Sequence, residues 1–279
     1  MNWRKLSISL LLLITISGCS GKIAYNNADV LLRWYISQYI ELNDEQAPQV
    51  KALLDKALQW HRANELPRYL AQLRELRTQI SERSLTQAQM TAHQDRAFQH
   101  WVRVREYLAP DISAIAMSLD IEQMSTLFVN LTNEREEEQA DFAKRQREQP
   151  DRAERMIESF AETMGYVTDV QANLIRAMAP ELKPTYQLWQ DYQALTQQEA
   201  RRILISKDFV PDAQEQLYQL LMQPEVLRSD EYNAAREHNR QLYLDLFSAM
   251  VPTLEAKQIN QLVDEIDEYM ELLEDLQQG

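Results

Sequence analysis

The sequence predicts an all-α protein, an elongated multi-helix bundle of Pro-kinked helices with one long projecting helical hairpin. Three observations carry that reading. Apolar residues recur at helical spacing from Ala28 onward, as in Leu53, Leu54, Ala57, Leu58 and in Ile259, Leu262, Ile266, Tyr269, Leu273, Leu276. Of the four glycines, at 18, 21, 165 and 279, only Gly165 lies inside the body, so tight hairpins that need positive φ have no supply of residues. Gln, Glu, Ala, Leu and Arg dominate, and all are good helix formers.

The chain opens differently. Arg4 and Lys5 precede an apolar run from Leu6 to Ile16, the pattern of an export signal. A membrane-spanning helix needs about 20 apolar residues, more than this run supplies. The run ends in Ile16-Ser17-Gly18-Cys19, which resembles the lipobox of bacterial lipoproteins, with the only cysteine of the chain at the position that becomes lipidated. The resemblance implies a signal peptide over residues 1–18, acyl chains on Cys19 and a lipid-attached tether over 19–27. Three acyl chains at about 0.8 kcal/mol per buried methylene exceed what stable anchoring needs. In such lipoproteins an aspartate after the cysteine retains the chain at the inner membrane, so Ser20 implies the outer membrane, periplasmic face. Residues 28–279 then form a single all-α periplasmic domain.

Helix starts are read from a recurring pattern: an apolar residue, a capping residue, two more residues, then Gln or Glu. It occurs at Leu42-Asn43-Asp44-Glu45-Gln46, Leu85-Thr86-Gln87-Ala88-Gln89, Leu119-Asp120-Ile121-Glu122-Gln123 and Leu195-Thr196-Gln197-Gln198-Glu199. The cap oxygen accepts from an orphan amide of the first turn, and the Gln or Glu reaches back to the cap amide. Leu-Thr-x-x-Gln also resembles a motif of small periplasmic stress chaperones, although any helix can use this cap. Nine prolines mark further starts or kinks. Those at 110, 180 and 252 are almost evenly spaced, but their flanks do not align into a repeat.

The most polar stretch, Asn133 to Arg155, carries Asp141 with Arg145, Glu148 with Arg152 and Asp151 with Arg155 at i,i+4. It is flanked by the apolar stripes Met124, Leu127, Phe128, Leu131 and Phe160, Met164, Val167, Leu174. Folding back near Pro150 pairs these stripes and leaves residues 133–155 as the charged tip of the hairpin.

The segment Tyr25-Asn26-Asn27-Ala28-Asp29, Trp34-Tyr35, the cap at 42–46 and Trp60-His61-Arg62-Ala63-Asn64-Glu65-Leu66-Pro67-Arg68-Tyr69 together resemble a proteobacterial lipoprotein family labelled domain of unknown function 6279. The likeness is strongest over residues 16–76. It implies a helical exported lipoprotein and brings no catalytic residues.

The net charge of −14 argues against nucleic acid as a partner, since binding that polyanion takes clustered Lys and Arg. Glycine-rich phosphate loops are excluded by composition. The histidines at 61, 93, 100 and 238 form no metal-binding pair at i,i+4, so neither metal nor cofactor is expected, and His93 and His100 read as surface or boundary residues. The candidate polar niche is Trp60, His61, Arg62, Glu65 and Tyr69, where His61 and Glu65 face each other at i,i+4 beside Pro67. A kinked helix pinned by an ion pair is the plainer account of it. The C-terminal helix offers a candidate acidic surface of Asp264, Glu265, Asp267, Glu268, Glu271, Glu274 and Asp275, suited to solvent, a basic partner or weak divalent-cation binding.

The expected function is a non-enzymatic lipoprotein that acts through protein interactions in envelope assembly or maintenance, held to the membrane by Cys19. Two alternatives stand beside it. One is a carrier of a lipid or apolar peptide between helices. The other is a hydrolase centred on His61 and Glu65.

Overall fold

A computed structural model describes residues 18–148 and 151–278, with side chains from Gly21 onward. The expected signal segment and Pro150 lie outside the described residues. The helices are α1 (Gly18–Asn26), α2 (Ala28–Ser37), α3 (Gln46–Ser81), α4 (Gln87–Met117), α5 (Ile121–Glu148), α6 (Arg152–Met164), α7 (Asp169–Met178), α8 (Tyr186–Ile205), α9 (Ala213–Met222), α10 (Asp230–Met250) and α11 (Ala256–Gln278). Among the described residues there is no strand, and the fold is the all-α bundle expected.

The prolines divide by position. Pro67 and Pro110 sit inside the continuous helices α3 and α4. Pro180, Pro224 and Pro252 occupy short 3₁₀ turns that follow or precede helices. Gly165 ends α6 at φ +81°, where a side chain would strain the backbone.

Three of the four expected capping boxes form. Asn43 Oδ1 accepts from the Gln46 amide at 2.9 Å, Thr86 Oγ1 from Gln89 at 3.3 Å and Asp120 Oδ1 from Gln123 at 2.8 Å. In each the Gln side chain accepts from the cap amide in return. The fourth expectation is corrected: Thr196 lies inside α8 and its hydroxyl donates back to the Tyr192 carbonyl at 2.9 Å. Two further helix starts use the same chemistry. Thr168 and Gln171 form a full box at α7, and Gln258 accepts from the Glu255 amide at the start of α11.

These caps do more than end helices. Gln46 Nε2 donates to the Ser118 carbonyl at 3.0 Å and to Gln123 Oε1 at 3.0 Å, while Gln123 Nε2 donates to the Glu41 carbonyl and to Gln46 Oε1, both at 2.7 Å. Gln171 and Gln258 repeat the arrangement. Gln171 Nε2 donates to the Thr253 carbonyl at 3.3 Å and to Gln258 Oε1 at 2.9 Å; Gln258 Nε2 donates to the Tyr166 carbonyl at 2.9 Å and to Gln171 Oε1 at 2.8 Å. In all four cases the carbonyl lies two residues before the partner's cap. Each pair therefore clasps two helix N-termini together, α3 with α5 and α7 with α11, with both donors and both acceptor positions of each amide filled.

The packing falls into three apolar clusters. The first joins Ile40, Leu119, Met124 and Phe128 to Ile203, Leu204 and Leu217, so α5 rests on α8 and α9 lies across the α4–α5 corner. The second joins Met164, Ile175, Met178, Leu246 and Met250 of α6, α7 and α10. In the third, Tyr25 of α1 packs with Leu66, Leu272 and Leu276 where α3 runs beside α11.

This division corrects the projecting hairpin. The stripe Met124, Leu127, Phe128, Leu131 belongs to the first cluster, and Phe160, Met164, Val167, Leu174 to the second. α5 and α6 do not pair along their lengths because each stripe finds other partners. The expected pairing of Glu148 with Arg152 changes with it. Asp151 is extended rather than helical, Arg152 donates instead to the Leu182 carbonyl at 2.6 Å, and Asp151 caps α6 through the amides of Ala153 and Glu154.

The tether over 19–27 is corrected as well. Residues 18–26 are helical, and α1 packs against α11 with Tyr25 buried, because Tyr25 supplies an apolar ring to the third cluster and its hydroxyl meets His61 Nδ1 at 2.9 Å.

Candidate functional site

The residues of the polar niche lie along a seam between α3 and α4, closed at one end by α1. Its centre is Glu65, whose side chain has no exposure to solvent. Arg103 Nε and Nη2 donate to its two oxygens at 2.7 and 2.9 Å, the two-point geometry that suits guanidinium to carboxylate. Arg68 Nη1 adds a third bond at 2.7 Å, and His100 Nδ1 lies 2.9 Å from Oε2. Burial would raise the Glu65 carboxyl, but the bonds from Arg103, His100 and Arg68 outweigh it and hold the pKa at about 2. Glu65 is thus a carboxylate in the folded chain.

His61 does not share this centre. Its Nδ1 meets the Tyr25 hydroxyl at 2.9 Å and its Nε2 the Tyr69 hydroxyl at 3.2 Å, so both ring nitrogens have partners other than Glu65. The expected His61–Glu65 pairing is replaced because each side chain reaches a different neighbouring helix. Burial lowers the His61 pKa against the opposing pull of Glu65, and burial likewise lowers that of His100. Tyr69 stands edge-on to His100 at 4.5 Å, tying the two histidines through one ring.

The remaining niche residues flank the centre. Trp60 stacks on Tyr107 of α4 at 4.3 Å, and Arg62 donates to Asn26 Oδ1 at 2.9 Å while lying over the Tyr25 ring. Farther along the seam Gln72 joins His100 to the His93 carbonyl, and His93 Nε2 meets Gln79 Oε1 at 2.9 Å. His93 is buried, which corrects its reading as a surface or boundary residue: the seam supplies the polar partner that lets an imidazole go inside.

Sequence reasoning missed His100, Arg103 and Gln72 as members of the site. Their signal was present but indirect: His100 and Arg103 are one helical turn apart, and such a pair can face a carboxylate on an adjacent helix.

The acidic surface of α11 is partly consumed inside the molecule. Asp267 receives two bonds from Arg77 at 2.5 and 2.7 Å, Glu274 one from Arg74 at 2.6 Å and Asp275 one from Lys22 at 3.2 Å. These acids fasten α11 to α3 and α1. Glu268 and Glu271 remain exposed to solvent. Among the described residues no group of three or more side chains stands close enough to hold a metal ion.

A cavity between α5 and α8, bordered by Leu131, Glu134, Trp189 and Gln190, measures about 20 Å³. That is room for a water molecule and not for an acyl chain.

A model of the Family of unknown function (DUF6279) matches residues 38–233, well over half of the chain. The chain belongs to this family. The matched span contains Glu65, His100 and Arg103 and the Gln46–Gln123 clasp; it stops in the first turn of α10, before α11. No curated protein and no solved structure matches the chain.

Proposed function

We propose that this chain is a lipid-anchored helical protein of the periplasmic face of the outer membrane, acting without catalysis through protein contacts in envelope assembly or maintenance. The observation that carries the non-catalytic reading is Glu65. The carboxylate of the niche is enclosed and held through both oxygens by Arg103, with a further bond from Arg68, out of reach of a substrate proton. A general base needs the opposite: a partly free carboxylate or imidazole within reach of a bound molecule. The anchor rests on Ile16-Ser17-Gly18-Cys19.

The reading is tested by in-cell crosslinking of the wild type and of Cys19→Ala, with labelled palmitate. The wild type is expected to incorporate palmitate, to fractionate with the outer membrane and to crosslink to envelope proteins. Cys19→Ala is expected to lose all three, being retained at the inner membrane by its uncleaved signal or released. Crosslinks and outer-membrane fractionation that survive Cys19→Ala, with no palmitate in the wild type, would overturn it.

A further inference from the structure

α1 and α2 form nearly one helical path. The Asn27 amide donates to the Ile23 carbonyl at 3.1 Å, and the Asn27 carbonyl accepts from Leu31 at 3.0 Å. At about 100° per residue the path has two unlike faces. One carries Tyr25 and Ile36, which pack into the third and first apolar clusters. The opposite face carries Ile23, Val30 and Trp34 at i, i+7 and i+11, with Leu31 at its flank.

These four large apolar side chains are exposed by 65%, 51%, 51% and 49% for Ile23, Val30, Trp34 and Leu31. Single exposed apolar residues are ordinary, whereas an apolar stripe along one face is a contact surface in waiting. Tyr35 and Tyr39 turn the other way: their hydroxyls meet, and that of Tyr39 donates to Glu134 of α5. Trp34 alone of the three faces out.

Two features of this place say what covers the stripe. By helical register, position 19 stands one turn before Ile23, on the line of Ile23, Val30 and Trp34. Cys19 is the residue that the lipobox marks for acylation. Moreover, the charged residues between 18 and 38 are Lys22, Asp29 and Arg33, so this segment of a strongly acidic chain does not repel anionic headgroups.

We propose that the Ile23, Val30, Leu31 and Trp34 face lies in the headgroup–acyl boundary of the leaflet entered by the acyl chains on Cys19. The inference rests on the lipid-anchor reading and deepens it. A slack nine-residue tether would let the body stand off by up to about 30 Å; as helix the same residues rise only about 13 Å. The body is therefore seated on the bilayer through α1 and α2, with Trp34 at the depth tryptophan favours.

Nitroxide depth measurement tests this on the full, lipidated chain in vesicles of phosphatidylethanolamine with a minority of phosphatidylglycerol. Cys19 is the only cysteine and acylation consumes its thiol, so Val30→Cys and Trp34→Cys each offer one labelling site. Glu158→Cys, on an exposed charged position of α6, gives the aqueous reference. Labels at 30 and 34 are expected to show an oxygen-to-nickel-chelate collision ratio several-fold above that at 158. A lipidated chain whose labels at 30 and 34 match the reference, or are shielded from both probes by protein, overturns the proposal alone. An intact mass lacking acyl chains overturns the anchor reading, and the proposal with it.

Discussion

Replacing Glu65 by alanine is expected to destabilise the folded chain by about 3 kcal/mol, the lower end of the range for breaking a buried ion pair. The substitution leaves Arg103, Arg68 and His100 facing an empty space between α3 and α4. Arg103 and Arg68 retain some access to water, which places the loss at that lower end. Denaturant midpoints measure it, with Arg68→Ala as the comparison. Arg68 is half exposed and makes one bond to Glu65, so its removal should cost under about 1 kcal/mol. Equal losses from the two variants would mean that Glu65 does not hold the seam.

Acid should act on the same residue. The Glu65 pKa lies at about 2 when folded and at an ordinary carboxylate value when unfolded, so the unfolded chain binds the proton first as pH falls. The stabilisation is complete above about pH 5 and is lost progressively toward pH 2. His61, His93 and His100 act earlier in the same direction: burial lowers each below its ordinary value of 6.5, so stability begins to fall as pH drops below that value. Glu65→Ala should flatten the lower part of this slope, to which Glu75, Glu199 and Asp267, each lowered by a bonded arginine, also contribute, and keep the upper part.

The second large effect is expected at the glutamine clasps. Gln171→Ala strands the Thr168 amide and the Thr253 carbonyl, and takes from Gln258 one donor partner and one acceptor partner. Gln171 and Gln258 are fully buried, so water cannot replace what is lost. At 1–3 kcal/mol for each unsatisfied buried group, partly relieved by relaxation, the cost is about 3 kcal/mol. Gln219→Ala, which removes an exposed bond to Glu215 on the same helix, should change stability by less than about 0.5 kcal/mol. Thermal or urea unfolding of the two variants decides it, and a Gln171→Ala midpoint near that of the wild type would remove the clasp from the account.

The clasps also show where sequence reasoning reached and where it stopped. Periodicity, the lack of glycine and the caps at Asn43, Thr86 and Asp120 were enough to predict an all-α bundle and three of its helix starts. The false start at Thr196 has Glu199 where the clasping sites have Gln. A carboxylate can only accept, so it can close its own cap but cannot donate to a second helix; an amide does both. The distinction was legible at Gln46, Gln123, Gln171 and Gln258, but which amide meets which is a property of packing. The hairpin failed for a related reason. Two amphipathic stripes flanking a charged segment satisfy periodicity equally well with each other or with third helices, and periodicity holds no information on the choice. At the candidate site, spacing along α3 found His61 and Glu65 and placed them together, whereas α4 and α1 supply the partners that separate them.

Attachment to the membrane through Cys19 underlies both the proposed function and the proposed seating of α1 and α2 on the bilayer. Intact mass of the protein extracted from the outer-membrane fraction tests it most directly. The account predicts a chain that begins at Cys19, lacks residues 1–18 and carries the added mass of three acyl chains. A chain that retains its first 18 residues, or one that begins at residue 19 with an unmodified thiol, would contradict it.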